Sequence, residues 1–142
     1  MSRFLGIDYG EKRIGLSYGD ELGIATPLPA AIAPKKVQRL EQIGRLITER
    51  RITDLVIGYP LNMNGSVGFK AQEVDAFITL LEKRFALPVH RIDERLTSKT
   101  AGQTMSLKEL RKTRASGILD SRAATILLQD YLDAQSLRLQ RP

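Results

Sequence analysis

The chain has 142 residues, 42% of them apolar and 27% charged, and its 22 Lys and Arg against 16 Asp and Glu give a formal charge of +6. That balance fits one globular domain, residues 1–142, able to bury a real core; it excludes a disordered chain, and the length is too short for two domains. With no cysteine, disulfides and thiolate metal centres are excluded, and a metal would need oxygen ligands or the single His90. No apolar run approaches the roughly 20 residues of a membrane span, and no charged-then-apolar leader opens the chain, so a cytoplasmic location and no membrane partner are expected.

The opening segment reads Phe4-Leu5-Gly6-Ile7-Asp8-Tyr9-Gly10, continues through Glu11-Lys12-Arg13, and returns as Ile14-Gly15-Leu16-Ser17. Apolar residues running into one carboxylate, then a glycine-assisted turn and an alternating return, predict a β-hairpin with Asp8 at or near the end of its first strand. Gly6, Gly10 and Gly15 leave room for close approach, and Gly10 is expected to supply a positive φ at the turn. A buried strand that ends in an acid implies pairing, hydrogen bonding or a bound cation. Asp8 is therefore a candidate divalent-metal ligand, with simple capping of the turn as the alternative.

Gly23 to Ile32 predicts a third strand, interrupted by Pro27 and Pro29 in the way a sheet edge tolerates. Val37, Leu40, Ile43, Leu46 and Ile47 recur at helical spacing and predict a helix over 36–51, with Lys35, Lys36 and Arg39 as ordinary surface at its start. Asp54 to Tyr59, stopped by Pro60, reads as a central strand buried on both faces. A loop rich in turn formers, 61–68, leads into a helix over 69–85 whose buried stripe is Val74, Phe77, Ile78, Leu81 and Phe85. Leu87 to Ile92 predicts a further strand that runs into Asp93-Glu94-Arg95. His90 is expected to be structural, and Tyr18, Tyr59 and Tyr131 core or half-core, so no aromatic platform for stacked bases is expected.

A short, broken helix is expected around 98–105, followed by a basic stretch. Between Arg95 and Ser116 stand Arg95, Lys99, Lys108, Arg111, Lys112 and Arg114 against Glu109 alone, which points to a polyanion partner. The last helix is predicted over 119–134. At about 100° per residue, Ala123, Ala124, Leu127 and Tyr131 fall within about 60° of Asp120, so Asp120 points with the apolar stripe and Arg122, Thr125, Gln129 and Asp133 form the polar face. An N-cap role for Asp120 is the alternative.

Strand, helix, strand, helix, strand implies parallel pairing by crossovers, and the carboxyl ends of such strands form the usual ligand crevice. Asp8, Glu94 and Asp120 converging there would repel one another unless neutralised. Mg²⁺ or Mn²⁺ fits an all-oxygen site and supports phosphodiester hydrolysis. The sequence has no Walker phosphate loop, no zinc spacing and no defensible Ser-His-Asp order.

Four blocks, GIDYGEKRIGLS, VIGYPLNMNGS, DERLTS and LDSRAATILLQDYL, together resemble the YqgF family, also called RuvX, a bacterial branch of the ribonuclease H-like superfamily related to the RuvC resolvases. The resemblance covers most of the chain. It implies an α/β fold with a ribonuclease H-like mixed five-stranded sheet in the order β-β-β-α-β-α-β-α, helices lying on both faces. It also implies a hydrolase, a metal-dependent nuclease acting on the 5′ end of precursor 16S ribosomal RNA, with relatives considered as Holliday-junction resolvases.

By the same resemblance Asp8, Glu94 and Asp120 would be the catalytic metal ligands. Strand alternation puts Asp93 opposite Glu94, and Glu94 is the one taken to face the site. Asn64 stands where the family usually has Asp, which favours a loop-shaping or substrate-contacting role there. Arg13, Asn62, Arg95, Lys99, Lys108, Arg111, Lys112 and Arg114 are the candidate substrate contacts; Lys12 reads as surface, and Thr97 and Ser98 as caps. RNA is preferred over branched DNA as the partner, with oligomeric state open. Three alternatives stand beside this reading. A junction resolvase would require a two-fold dimer. The Gly-Ile-Asp-x-Gly turn also resembles the phosphate hairpin of actin-like ATPases and sugar kinases, and a non-catalytic RNA-binding scaffold would keep the fold alone.

Overall fold

Alternation along Phe4-Leu5-Gly6-Ile7-Asp8 decides how the sheet is covered, because successive side chains on a strand point to opposite faces. The computed structural model describes residues 1–94 and 121–140, the side chains of 137–140 excepted. Among the described residues the strands are β1 (Arg3–Asp8), β2 (Ile14–Asp20), β3 (Thr26–Ala31), β4 (Asp54–Tyr59) and β5 (Val89–Asp93). They form one sheet in the order β3-β2-β1-β4-β5. β1 pairs antiparallel with β2, and β2 with β3, while β1, β4 and β5 run parallel. β3 is narrower than the span expected from Gly23, because Gly23 takes a left-handed φ of 87° in the preceding turn.

Helices α1 (Lys36–Arg50) and α2 (Phe69–Phe85) cover one face, and α3 (Arg122–Gln140) covers the other. Leu5 and Ile7 point into the larger core with Leu40 and Ile43 of α1 and Val74, Phe77, Ile78 and Leu81 of α2. Phe4 and Val56 point the other way, against Leu128 and Leu132 of α3. Helices thus lie on both faces of a mixed sheet, as expected. Asp8 shares the parity of Phe4 and Gly6, so it ends β1 on the α3 face.

Two helical stripes differ from the expected ones. In α1, Val37 is 48% exposed while Arg39 is buried. The Arg39 guanidinium donates to the carbonyls of Ala33 (2.7 Å), Pro34 (3.2 Å) and Glu11 (3.2 Å). It ties the β1–β2 turn to the start of α1, so it is no surface residue: three carbonyls satisfy a charge that would be costly to bury bare. In α3 the buried residues are Ala124, Leu127, Leu128 and Leu132, a stripe turned slightly from the expected one. Gln129, placed on the polar face, instead clamps the β2–β3 turn. Its side chain accepts from Ala25 N–H at 2.9 Å and donates to Gly23 C=O at 2.8 Å.

α3 can lie this close because Gly6 has no side chain. A Cβ there would meet Leu128 Cβ at 2.9 Å and the Ala124 carbonyl oxygen at 3.0 Å. Neither can rotate away, so Gly6→Ala is expected to destabilise the protein by about 1–3 kcal/mol through overpacking. Urea unfolding would read this as a lower midpoint with an unchanged slope. Gly10 adopts no positive φ; among the described residues only Gly23 and Gly65 do among glycines. Its smallness serves instead to let the Arg13 carbonyl pack against it across the turn.

Candidate active site

Parallel pairing sets Asp8 beside Glu94 through a missing side chain. Ile7 of β1 is level with Ile57 of β4, and Gly58 of β4 is level with Ile92 of β5. Glu94 lies two residues beyond Ile92 and so returns to the same face. Gly58 stands between the two acids, and a Cβ on it would meet Glu94 Cγ and Leu127 Cδ1, each at 2.8 Å. The absent side chain is what lets the carboxylates of the two flanking strands reach each other over β4. Asp93 falls on the opposite parity, with Val89, which packs into the larger core.

Asp8 and Glu94 are joined by a side-chain hydrogen bond, which two ionised carboxylates cannot form. Burial is the largest cause that raises the Asp8 pKa above its ordinary value; the hydrogen bond to Glu94 and the charge of Lys70 pull it back. Glu94 is pushed up to about 7, first by burial, then by the charge of Asp8 and its hydrogen bond to Asp8, with Lys70 opposing and Asp93 adding to the rise. Ionisation of Asp8 therefore disfavours ionisation of Glu94. Lys70, in the first turn of α2, is the cation whose field reaches both acids, and nothing in its sequence surroundings marked it.

The expected third acid, Asp120, lies outside the described residues, as do Arg95, Lys99, Lys108, Arg111, Lys112 and Arg114. Among the described residues no cluster of three His, Cys, Asp or Glu forms. The residue after Asp120 is placed, and its anchorage is specific. The register of β2 and β3 shifts between Ile14 and Leu16, and such an irregularity leaves backbone groups outside the ladder. Ser121, fully buried, meets two of them: its Oγ accepts from Leu16 N–H at 3.1 Å and donates to Leu28 C=O. One turn on, Ser17 Oγ donates to Ala124 C=O at 2.8 Å. Leu16 is the cross-strand partner of Ile7, so the start of α3 is pinned one residue from Asp8 along β1.

Arg13 is exposed in the β1–β2 turn. Asn62 is occupied in shaping its own loop: its N–H donates to Ser66 C=O at 3.0 Å, its Nδ2 donates to Ser66 Oγ at 3.0 Å, and its carbonyl accepts from Gly65 N–H at 2.8 Å. Asn64 does the same, its Oδ1 accepting from Ser66 N–H at 3.0 Å and Ser66 Oγ at 2.6 Å. His90 faces away from the carboxylates along the sheet, its Nε2 2.8 Å from Asp54 Oδ2 and its ring 5.4 Å from that of Tyr131. That is the structural role expected of it. Among the described residues no helix is long and apolar enough to cross a membrane.

A family model described as "RuvX: Holliday junction resolvase" matches residues 2–134. A protein of Opitutus terrae, named "Putative pre-16S rRNA nuclease", is 52% identical over 132 residues, covering 92% of this chain and 91% of its own. Relatives of the same name from Gloeothece citriformis and Trichormus variabilis are 40% and 37% identical over 137 residues, each with 91% of its own length covered. Among solved structures, the yeast mitochondrial Holliday junction resolvase Ydc2 superposes with a TM-score of 0.57 at 12% identity, covering 99% of this chain and 82% of that one. RuvC of Thermus thermophilus in complex with a Holliday junction substrate gives 0.53 at 17% identity, covering 96% of each chain. The fold is therefore that of the RuvC-like, ribonuclease H-like proteins.

Proposed function

This chain belongs to the RuvX family, and from that premise we propose that it is a metal-dependent nuclease that cuts a phosphodiester bond in precursor 16S ribosomal RNA. The observation that carries the proposal is the buried, hydrogen-bonded pair of Asp8 and Glu94 at the carboxyl ends of parallel strands. Relatives that share 52% and 37% of aligned positions carry the name "Putative pre-16S rRNA nuclease".

The donor set suits a hard divalent ion. Two buried carboxylates that repel one another when no cation is present are ligands of the kind Mg²⁺ or Mn²⁺ takes, and the chain offers no cysteine thiolate to favour a softer metal. Asp120 is proposed as the third ligand, since the adjoining Ser121 is anchored at Leu16 beside the end of β1. When bound, the metal would lower the pKa of water and offset charge on the phosphoryl oxygens.

The rest falls to the chain itself. Asp8, Glu94 and Asp120 would hold the metal. Lys70 and Arg13 are proposed to steady a phosphate, and Arg95, Lys99, Lys108, Arg111, Lys112 and Arg114 to supply salt-sensitive contacts to the nucleic-acid backbone. Purified protein incubated with Mg²⁺ or Mn²⁺ and a precursor rRNA fragment tests the proposal. Cleavage is expected from wild type and lost on Asp8→Asn; equal cleavage by the two at high enzyme sinks it. The family description and the resolvase folds favour one second reading, nicking of branched DNA, and a four-way junction in the same assay separates the two.

A further inference from the structure

The turn between β4 and α2 displays apolar side chains instead of burying them. Met63, Val67 and Phe69 are 88%, 54% and 76% exposed. Single exposed apolar residues are common and need no account, but these three share one short segment whose backbone is held firmly. Asn62 and Asn64 bond to Ser66 at 2.6–3.0 Å, and Gly65 takes a φ of 86° to close the turn. An apolar surface that a braced turn holds toward water marks a contact site.

Its position names the contact. Tyr59 pairs with Asp93, so the segment leaves the sheet at the edge where Glu94 stands. It ends at Phe69, the first residue of α2, and the next residue is Lys70, whose charge acts on both Asp8 and Glu94. An aromatic ring followed directly by a cation, on a chain of formal charge +6, suits an anionic polymer that also carries flat apolar groups. Paired strands hide base faces within the stack; an unpaired strand offers them.

We infer that Phe69 stacks on an unpaired nucleobase next to the scissile bond while Lys70 holds a neighbouring phosphate. The inference rests on the nuclease reading and narrows its substrate to single-stranded nucleic acid at the cut. In the sequence Phe69 only opens a helix, and it stands outside the helix's buried stripe.

The test reads binding by the full chain without divalent metal, using a short single-stranded RNA that carries 2-aminopurine and the same strand in a duplex. Wild type is expected to change the probe's emission on binding the single strand. Phe69→Ala is expected to weaken single-strand binding roughly 5- to 150-fold, the range of one lost base stack, with duplex binding unchanged within about twofold and Phe69→Trp restoring the affinity. Because the ring is 76% exposed, the unfolding temperature of the variant should match wild type, which separates lost contact from lost fold. If Phe69→Ala binds the single strand as wild type does, or loses duplex affinity equally, the stacking contact is overturned even where wild type cleaves. If wild type neither binds nor cleaves RNA, the nuclease reading fails and this inference with it.

Discussion

Replacing Glu94 by glutamine is expected to lower phosphodiester cleavage at least about a hundredfold, the usual loss when one charged group of a preorganised site is removed. The same change is expected to raise the unfolding temperature of the metal-free protein near pH 8. The two effects share a cause. Above its pKa of about 7, Glu94 is a partly buried anion facing Asp8, and that repulsion persists in the folded state when no cation is bound. Glutamine keeps the shape, drops the charge and can donate an amide N–H to Asp8. Solvent screening at a half-buried site limits the gain to about 1 kcal/mol, or about 2–4 °C for a domain of this size. Stability bought at the cost of activity is a common signature of a catalytic acid. A variant less stable than wild type near pH 8 would show that the carboxylate contributes to folding by itself, against this account.

The second large effect is the coupling of pH, metal and stability. Glu94 binds a proton more tightly in the folded chain, at about 7, than its ordinary value of 4.5 allows when unfolded. The folded state therefore holds the extra proton between those values, and stability falls as pH rises through that window. Asp8, raised in the same direction, adds to the trend. After discounting for solvent, the loss is about 1–2 kcal/mol from this pair. Millimolar Mg²⁺ or Mn²⁺ should reverse it near pH 8, where both acids are free to bind, by about 2–3 kcal/mol if the ion is at a hundred times its dissociation constant. Near pH 5 protons compete and the same ion should do little. Thermal unfolding by circular dichroism at both pH values, with and without metal, reads the whole pattern. Equal metal effects at the two pH values would count against Asp8 and Glu94 as ligands.

Much of this arrangement was legible in the residues. Apolar alternation located the strands, helical spacing located α1, α2 and α3, and a carboxylate closing a buried run singled out Asp8. Parity allowed only one of Asp93 and Glu94 to face the site, since two neighbours on a strand cannot face the same way, and the family resemblance picked Glu94. What stayed hidden depends on register between distant segments. Gly58 looks like any small residue in an apolar strand until pairing sets it between Asp8 and Glu94. Arg39 resembles helix-start surface until three carbonyls converge on it. Ser121 gains its role only from a register shift in β2 and β3 that no local pattern announces. Lys70 and Phe69 open a helix, and periodicity describes a helix's buried side better than the neighbours of its first turn.

The clasp between the first hairpin and α3 has a consequence for synthesis. Its bonds join Leu16 to Ser121, Ser17 to Ala124 and Ala25 to Gln129, residues separated by 105, 107 and 104 positions. Pairings that distant form late, because the chain must close a large loop before they give any return. While a ribosome is still making the chain, β1, β2 and β4 can pair, but the face that carries Asp8 has no cover until α3 has emerged. Until that helix is free of the ribosome, Phe4 and Val56, which Leu128 and Leu132 cover in the finished fold, stay open to water.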